Sequence, residues 1–154
     1  TPAAELNMYS DPASAQTVFR SLTTKTLIPL DVTLQVAFSM SVLDELPSEE
    51  TRVGRFLRRV LPFTFRAHHQ VLGRELVQLH GAIALLYLLQ PELFETREMA
   101  GDVETRGVLT KGATIFDRRP KPLWRKNMEV AVEIDAAAAR DAIVRGWADA
   151  GRQT

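Results

Sequence analysis

The sequence contains no cysteine, which excludes disulfide bonds and thiolate chemistry. It also has no apolar run near the roughly 20 residues that a membrane-spanning helix requires, so we expect no membrane partner. Neither sign of charge dominates, because 19 Lys and Arg residues balance 19 Asp and Glu residues. No overall field therefore favours nucleic acid. The apolar content of 45% and the charged content of 25% are typical of a globular protein.

A secretory signal is also missing from the first residues. The segment "TPAAELNMYS" has neither a basic start nor an apolar middle, and we expect a cytoplasmic protein. Thr1 stands where an initiator Met would be, which is consistent with a cut or processed chain. The length of 154 residues predicts a single domain.

Helical patterns dominate the first part of the chain. Residues 11–22 open with Asp-Pro, a helix-start signal, and carry apolar residues at helical spacing. The continuous apolar run in 25–33 predicts a strand that is covered on both faces. Further helices are predicted at 33–46, at 48–61 with Ser48 as the cap, at 62–76, and from His80 onward.

Strands dominate the part that follows Pro91. Residues 98–119 predict two strands joined by a glycine-bearing turn at 106–110. Residues 127–135 alternate apolar and polar side chains, which is the clearest strand pattern in the chain. An Ala-rich amphipathic helix closes the sequence at 135–151. The alternation of helices with four strands predicts an α/β fold, although four strands are few for a parallel sheet.

Four segments together resemble the inosine–uridine-preferring nucleoside hydrolase family. They are "TPAAELNMYSDPASA", "IPLDVT", "LHG…LLQPELF" and "DVETRGVLTKGATIFDRR", and their order and spacing agree from Thr1 to about Asp141. The resemblance implies a Rossmann-like α/β fold with a mixed sheet flanked by helices. It also implies cleavage of the N-glycosidic bond of ribonucleosides, as in purine and pyrimidine nucleoside catabolism, by a calcium-bound water that attacks C1′.

The aspartate cluster that opens members of this family, D-x-D-x-G-x-D-D, has no counterpart in the 154 residues. By resemblance this cluster holds the calcium ion and supplies the catalytic base. The chain therefore aligns with the C-terminal half of such an enzyme, which accounts for the shortage of strands. We expect residues 1–154 to form a single partial domain that is inactive alone. We also expect a homo-oligomer or a complementary N-terminal fragment, because half a sheet leaves an unpaired edge.

Glu5 and Asn7 match the family's E-F-N segment, with Leu6 in place of Phe. The resemblance implies that their side chains bind the ribose hydroxyls. A carboxylate and an amide can accept from and donate to vicinal diols. Two residues apart on an extended chain, they would share one side. Composition alone would instead favour a solvated tail.

His80 matches a histidine that lies near the departing nucleobase and acts as a general acid in the family. A proton donor with a near-neutral pKa helps a poor leaving group to depart. For an isolated histidine, the alternative is a loop residue that caps the following helix. The "LH" position before "LLQPELF" favours the site.

Gly81 is the main departure from the family pattern. An aspartate that binds calcium is implied at this position, and glycine has no side-chain oxygen. We therefore expect this chain to bind no calcium ion of its own, and whether the complete protein is an enzyme is left open. The alternative is a degenerate, non-catalytic relative that binds a ligand or a partner.

Other residues carry weaker signals. Phe65 and His69 of "FTFRAHHQVL" fall where the family lines its nucleobase pocket, although helix packing is the role that we favour for this segment. Asp102 and Glu104 resemble a carboxylate pair, and we interpret them as structural. The basic segment 118–126 is too short and too isolated to predict a nucleic-acid site, and we expect a solvated turn.

Overall fold

The computed structural model describes residues 1–152 and divides the chain into two compact units. The first unit comprises Thr1–Leu30 and Thr96–Val132, and the second comprises Asp31–Glu95 and Glu133 onward. The helices are α1 (Leu6–Ser10), α2 (Pro12–Arg20), α3 (Leu30–Thr33), α4 (Arg52–Leu72), α5 (His80–Leu89) and α6 (Ala136–Arg152), with short 3-10 helices at Met40–Glu45 and Pro91–Leu93. The strands are β1 (Thr26–Leu27), β2 (Phe94–Met99), β3 (Gly101–Val103), β4 (Thr114–Phe116) and β5 (Met128–Ile134). The single partial domain expected from the sequence stays a prediction.

A mixed three-stranded sheet has β5 at its centre, in the order β1-β5-β2. β1 runs parallel to β5, with Thr26 opposite Glu129. β2 runs antiparallel to β5, because the amide of Asn127 bonds to the carbonyl of Met99 while that of Asp135 bonds to Leu93. The alternating pattern that predicted a strand at 127–135 is confirmed, and so is the mixed sheet.

The first unit also contains a hairpin and a small core. β3 and β4 pair antiparallel, as predicted for the segment that contains them. The core cluster joins α2 to the strands through Phe19, Val103, Met128 and Val130. α2 begins as the Asp-Pro signal predicts, since Asp11 Oδ1 accepts a hydrogen bond from the amide of Ser14 at 3.0 Å.

Asn127 ties the end of α2 to the start of β3 within the first unit. Its Nδ2 donates to the carbonyls of Phe19 and Gly101 at 2.8 and 2.9 Å. Its Oδ1 accepts from the amide of Gly101 at 2.9 Å. One side chain thus satisfies three backbone groups that the hairpin and the helix end would otherwise leave unpaired.

The second unit packs α4, α5 and α6 around buried side chains, among them Val32, Val36, Phe38 and Ile83. α4 is capped by Thr51, whose Oγ1 accepts from the amide of Gly54 at 3.0 Å. It ends at Gly73, where a φ of 61° turns the chain out of the helix. No helix among residues 1–152 has the length and apolar character needed to cross a membrane.

Several predicted elements differ from the observed ones. The strand expected at 25–33 is reduced to β1, and its later part forms α3. The helices predicted at 48–61 and 62–76 are one helix, α4, which contains Pro62 and is capped by Thr51 rather than Ser48. The helix predicted at 33–46 is largely wrong, because Phe38 forms two backbone hydrogen bonds with Val77 that require an extended chain.

Candidate functional site

Glu5 caps α1 instead of lying on an extended chain. Its Oε2 accepts from the amides of Asn7 and Met8 at 2.7 and 3.3 Å, and Asn7 is an exposed residue of the helix. The premise that the two residues share one side of an extended chain is therefore wrong. A ribose contact through this pair would therefore lie at the N-terminus of α1. Glu5 Oε1 accepts neither of the two capping bonds.

The turn between β3 and β4 packs against α1. Gly112 has a φ of 82°, and a Cβ built on it would lie 2.8 Å from the Cα of Tyr9. Lys111 places its Nζ 5.7 Å from the centre of the Tyr9 ring. Two of the segments that carry the family resemblance thus meet within one unit, and the second supports the helix that carries Asn7.

The carboxylates of this hairpin serve structure, in agreement with the sequence interpretation. Glu104 Oε1 accepts from the amides of Arg106 and Gly107 at 2.7 and 3.1 Å, and these bonds lower its pKa. Asp102 pairs with the guanidinium of Arg20, whose Nη2 lies 2.5 Å from Oδ2. Burial alone would raise the pKa of Asp102, but the bonds to Arg20 and to the amide of Val103 lower it overall.

His80 is the first residue of α5, and its side chain contacts α3. Its Nδ1 lies 2.8 Å from Oγ1 of Thr33, within the same unit. Thr33 is only 3% exposed, whereas His80 is an exposed residue. The Thr33 hydroxyl lies against the Nδ1 edge of the imidazole, so the two ring nitrogens have different surroundings. The sequence does not predict this contact, since 47 residues separate the two.

Gly81 follows as the second residue of α5. A Cβ built on Gly81 would meet no atom within 4 Å, and its φ lies outside the left-handed region. Neither space nor backbone conformation therefore requires a glycine here. An aspartate at this position would be accommodated at its Cβ, at a helix N-terminus that favours a negative charge.

Phe65 and His69 lie on α4 in different surroundings. Phe65 is 4% exposed and belongs to the core of the second unit. His69 is exposed, with its Nδ1 2.9 Å from Oε1 of Glu75. Their proposed part in a nucleobase pocket stays a prediction.

The predicted site residues are distributed over both units. Glu5 and Asn7 lie in the first unit, and Phe65, His69, His80 and Gly81 lie in the second.

The basic segment after β4 is organised by one carboxylate. Asp117, whose side chain is 2% exposed, accepts from the Arg119 guanidinium at 2.6 and 2.7 Å and from the amides of Leu123 and Trp124. These bonds, chiefly those from Arg119, hold its pKa far below the usual range, although burial acts in the other direction. The basic residues of this segment thus surround a structured turn.

An open cavity of about 520 Å³ lies along α4. It is lined by Glu49, Arg55, Phe56, Arg58 and Arg59. Two of its guanidinium groups are engaged with backbone carbonyls, Arg58 with Pro47 and Leu46, and Arg55 with Glu50. None of the residues predicted for the site is among these five.

A calcium ion requires more oxygen ligands than these side chains bring together. Calcium takes six to eight oxygen ligands, commonly several carboxylates. Across residues 1–152, no three His, Asp or Glu side chains lie close enough together to hold a metal ion. The position at which the resemblance implies a calcium ligand is Gly81, which has no side-chain oxygen. The side chains of this part of the chain do not by themselves fit calcium.

Comparisons with known proteins agree on one family. A family model described as inosine-uridine preferring nucleoside hydrolase matches residues 1–141. The chain is 30% identical over 141 residues to an inosine-uridine preferring nucleoside hydrolase of Leishmania major, across 88% of this chain and 43% of that protein. It is 33% identical over 148 residues to the non-specific ribonucleoside hydrolase RihC of Salmonella paratyphi B, across 96% of this chain and 47% of that protein.

The fold agrees as well. The solved structure of a purine-preferring ribonucleoside hydrolase from Gardnerella vaginalis superposes with a TM-score of 0.85 at 28% identity, over 98% of this chain and 48% of that one. This likeness confirms the predicted nucleoside hydrolase fold. The chain spans about half the length of the relatives that it matches.

Proposed function

The chain belongs to the inosine-uridine preferring nucleoside hydrolase family, and from this membership we propose that it forms part of a protein that cleaves the N-glycosidic bond of ribonucleosides. The family match over residues 1–141 is the observation that carries the proposal. The relatives that support it span about twice this length, so the activity is proposed for a protein that contains more than these residues.

The proposed roles follow the chemistry of the bond. When C1′–N breaks, the bonding electrons go to the nucleobase, and we assign the proton that neutralises the base to Nε2 of His80. The oxygen of water bonds to C1′, and its proton passes to the aspartate cluster that the resemblance implies. Glu5 and Asn7 are assigned to the ribose hydroxyls, and Phe65 and His69 to the nucleobase. Calcium, which the family resemblance implies, would be bound mainly by groups outside this chain.

The chain alone is proposed to be inactive and to bind calcium weakly. Purified chain would be incubated with inosine and with uridine, with and without calcium, while released ribose is measured by a reducing-sugar assay. Titration calorimetry with calcium would run in parallel. We expect no turnover and no tight binding. Clear turnover by the chain alone would contradict the proposed need for further residues.

A non-catalytic binding protein is the second candidate, and Gly81 is the observation that favours it. Glycine is required here neither by space nor by backbone conformation, so the loss of a carboxylate at this position is not explained by folding. The coding sequence upstream of Thr1 distinguishes the two candidates. An intact aspartate cluster would favour the hydrolase, and a coding sequence without one would favour the binding protein.

The Gly81 assignment has its own test in the longest protein that the gene encodes. Gly81→Asp should raise calcium affinity, measured by calorimetry. Gly81→Ala is the matched control, since it changes helix propensity in the same direction without adding an oxygen. Equal affinities for the two variants would show that this position is not at the metal site.

Association is proposed for the isolated chain. β1, with two residues, is an edge of the three-stranded sheet, and Leu85, Leu88 and Leu89 of α5 expose large apolar side chains. Both features favour contact with a second copy or a complementary N-terminal fragment. Sedimentation velocity over a range of concentrations tests this, and a monomer at every concentration would contradict it.

The cytoplasmic location expected from the sequence is likewise a proposal, to be tested by cell fractionation.

A further inference from the structure

Thr33 combines two properties that the family match does not explain. It is a polar residue buried to 3% exposure, and its hydroxyl contacts the imidazole of His80, which as a residue is exposed. A buried hydroxyl commonly satisfies a backbone group of its own turn. Here Oγ1 also lies 2.8 Å from Nδ1 of His80, a residue on another helix of the same unit.

The surroundings hold Thr33 in place. Val32 beside it is completely buried, as is Val36 one turn later, and the amide of Val36 bonds to the carbonyl of Thr33 at 3.4 Å. The β-branched side chain of threonine has few accessible rotamers. The hydroxyl is therefore held in a fixed position beside the ring of His80.

We propose that Thr33 is a positioning residue for His80, with Oγ1 accepting a hydrogen bond from Nδ1–H. This inference rests on the proposed role of His80 as the general acid. It deepens that role by assigning the mobile proton to Nε2 and the retained proton to Nδ1. The hydrogen-bond partner of one ring nitrogen commonly selects the tautomer of a catalytic histidine in this way.

The direction of the bond follows from what a general acid must do. The imidazolium carries protons on both nitrogens, so Nδ1–H needs an acceptor before the transfer. After Nε2 has given its proton to the departing base, the neutral ring still carries Nδ1–H. An accepting Thr33 hydroxyl satisfies the ring in both states. A hydroxyl that donated to Nδ1 would instead stabilise the neutral Nε2–H form, which lacks the acidic imidazolium.

The test is the tautomer of His80, read from long-range ¹H–¹⁵N correlation spectra of the ¹⁵N-labelled chain at a pH where the imidazoles are neutral. We expect His80 to be predominantly Nδ1–H. Thr33→Val removes the acceptor and should shift the tautomer ratio toward Nε2–H by roughly fivefold, the size expected from losing one neutral hydrogen bond. Thr33→Ser keeps the hydroxyl and should retain the wild-type ratio. His68 and His69, the other two histidines, are internal references.

The wild-type spectrum is decisive even if Thr33→Val does not fold. A predominantly Nε2–H ring in the wild-type chain would overturn the proposal. So would a ratio that valine leaves unchanged, or a serine variant that behaves like valine. Failure of the proposed function is distinguishable, because it would show as no turnover by the longer protein while the tautomer of the wild-type chain stays Nδ1–H. Unaltered turnover in a His80→Gln variant of an active longer protein would instead contradict the role assigned to His80.

Discussion

Gly112 approaches Tyr9 so closely that no side chain could separate them: a Cβ on Gly112 would lie 2.8 Å from the Cα and 3.0 Å from the amide nitrogen of Tyr9. The contacted atoms belong to the backbone of α1 and cannot rotate away. The same glycine has a φ of 82°, which L side chains rarely adopt. Its amide also donates to the carbonyl of Glu104 at 2.7 Å, so the turn has little freedom to move.

Gly112→Ala is therefore expected to destabilise the chain. The left-handed conformation alone costs alanine about 1–2 kcal/mol, and the contact with α1 adds to this. Urea denaturation followed by circular dichroism would measure the loss. Gly146→Ala is the matched control, because Gly146 lies in α6 with no atom within 4 Å of a built Cβ. The free energy of unfolding of that control should rise by about 0.5–1 kcal/mol through helix propensity. A Gly112→Ala variant as stable as the wild type would contradict the close approach of Gly112 to Tyr9.

Asp117→Asn is expected to loosen the turn that the carboxylate organises. Asparagine cannot pair with the Arg119 guanidinium as a charged group, and it keeps one acceptor oxygen for the five N–H groups that donate to Asp117. Trp124 lies in this turn, so acrylamide quenching of its fluorescence should increase. Measuring in a Trp147→Phe background leaves Trp124 as the single tryptophan. Unchanged quenching would show that the turn holds without the carboxylate.

The same carboxylate predicts a pH dependence. Its pKa is lowered in the folded chain, so its stabilising contribution is fully present above the unfolded value of about 3.9. That contribution is lost as the pH falls below this value toward the folded one. Acid should therefore loosen the turn in the wild type and change the Asp117→Asn variant less. Equal acid sensitivity of Trp124 quenching in both would contradict this assignment.

How well the sequence predicted the fold depended on how local the signal was. α2, α6 and β5 follow from caps and periodicity within one segment, and α5 follows from its almost unbroken apolar run. α1 was missed because glutamate is not among the common N-cap residues, and its capping bonds become evident only in the structure. The extended chain around Phe38 depends on pairing with Val77, which is distant in sequence.

The candidate site divides in the same way. The resemblance to the family identifies His80, Glu5 and Asn7 as candidate site residues. It also identifies Gly81 as a position where a side-chain oxygen is expected and glycine has none. The Thr33 contact with His80 could not, since a threonine in a short apolar segment carries no local signal of its partner. The sequence likewise does not predict that Asn7 lies in a helix. The same sequence pattern is compatible with an extended and with a helical segment, and the two place the side chain differently.

Pro62→Ala is expected to stabilise α4. Proline has no amide hydrogen, so the carbonyl of Arg58 lacks its usual helical partner, and the ring crowds the preceding turn. Alanine is favoured over proline by about 3 kcal/mol inside a helix. The more flexible unfolded chain offsets roughly 0.4–1 kcal/mol of this gain. A higher midpoint of thermal unfolding is the expected result, and an unchanged or lower one would show that α4 depends on the proline for its packing.

Asn127→Asp tests the junction of α2, β3 and β5. The native amide donates twice, to the carbonyls of Phe19 and Gly101, and accepts once from the amide of Gly101. A carboxylate has nearly the same shape but would turn an acceptor toward two carbonyl oxygens. Each lost bond is worth on the order of 1 kcal/mol, and an unsatisfied, partly buried acceptor costs about 1–3 kcal/mol more.

Asn127→Ala separates loss of the bonds from the added repulsion. It removes all three bonds and introduces no new charge, so it should destabilise less than Asn127→Asp at neutral pH. Acidification should narrow the difference between the two variants, because the introduced carboxyl group regains one donor when it is protonated. Urea unfolding of the wild type and both variants at pH 7 and pH 4 provides the comparison. If aspartate is tolerated better than alanine at pH 7, the amide does not bridge Phe19 and Gly101 as the structure describes.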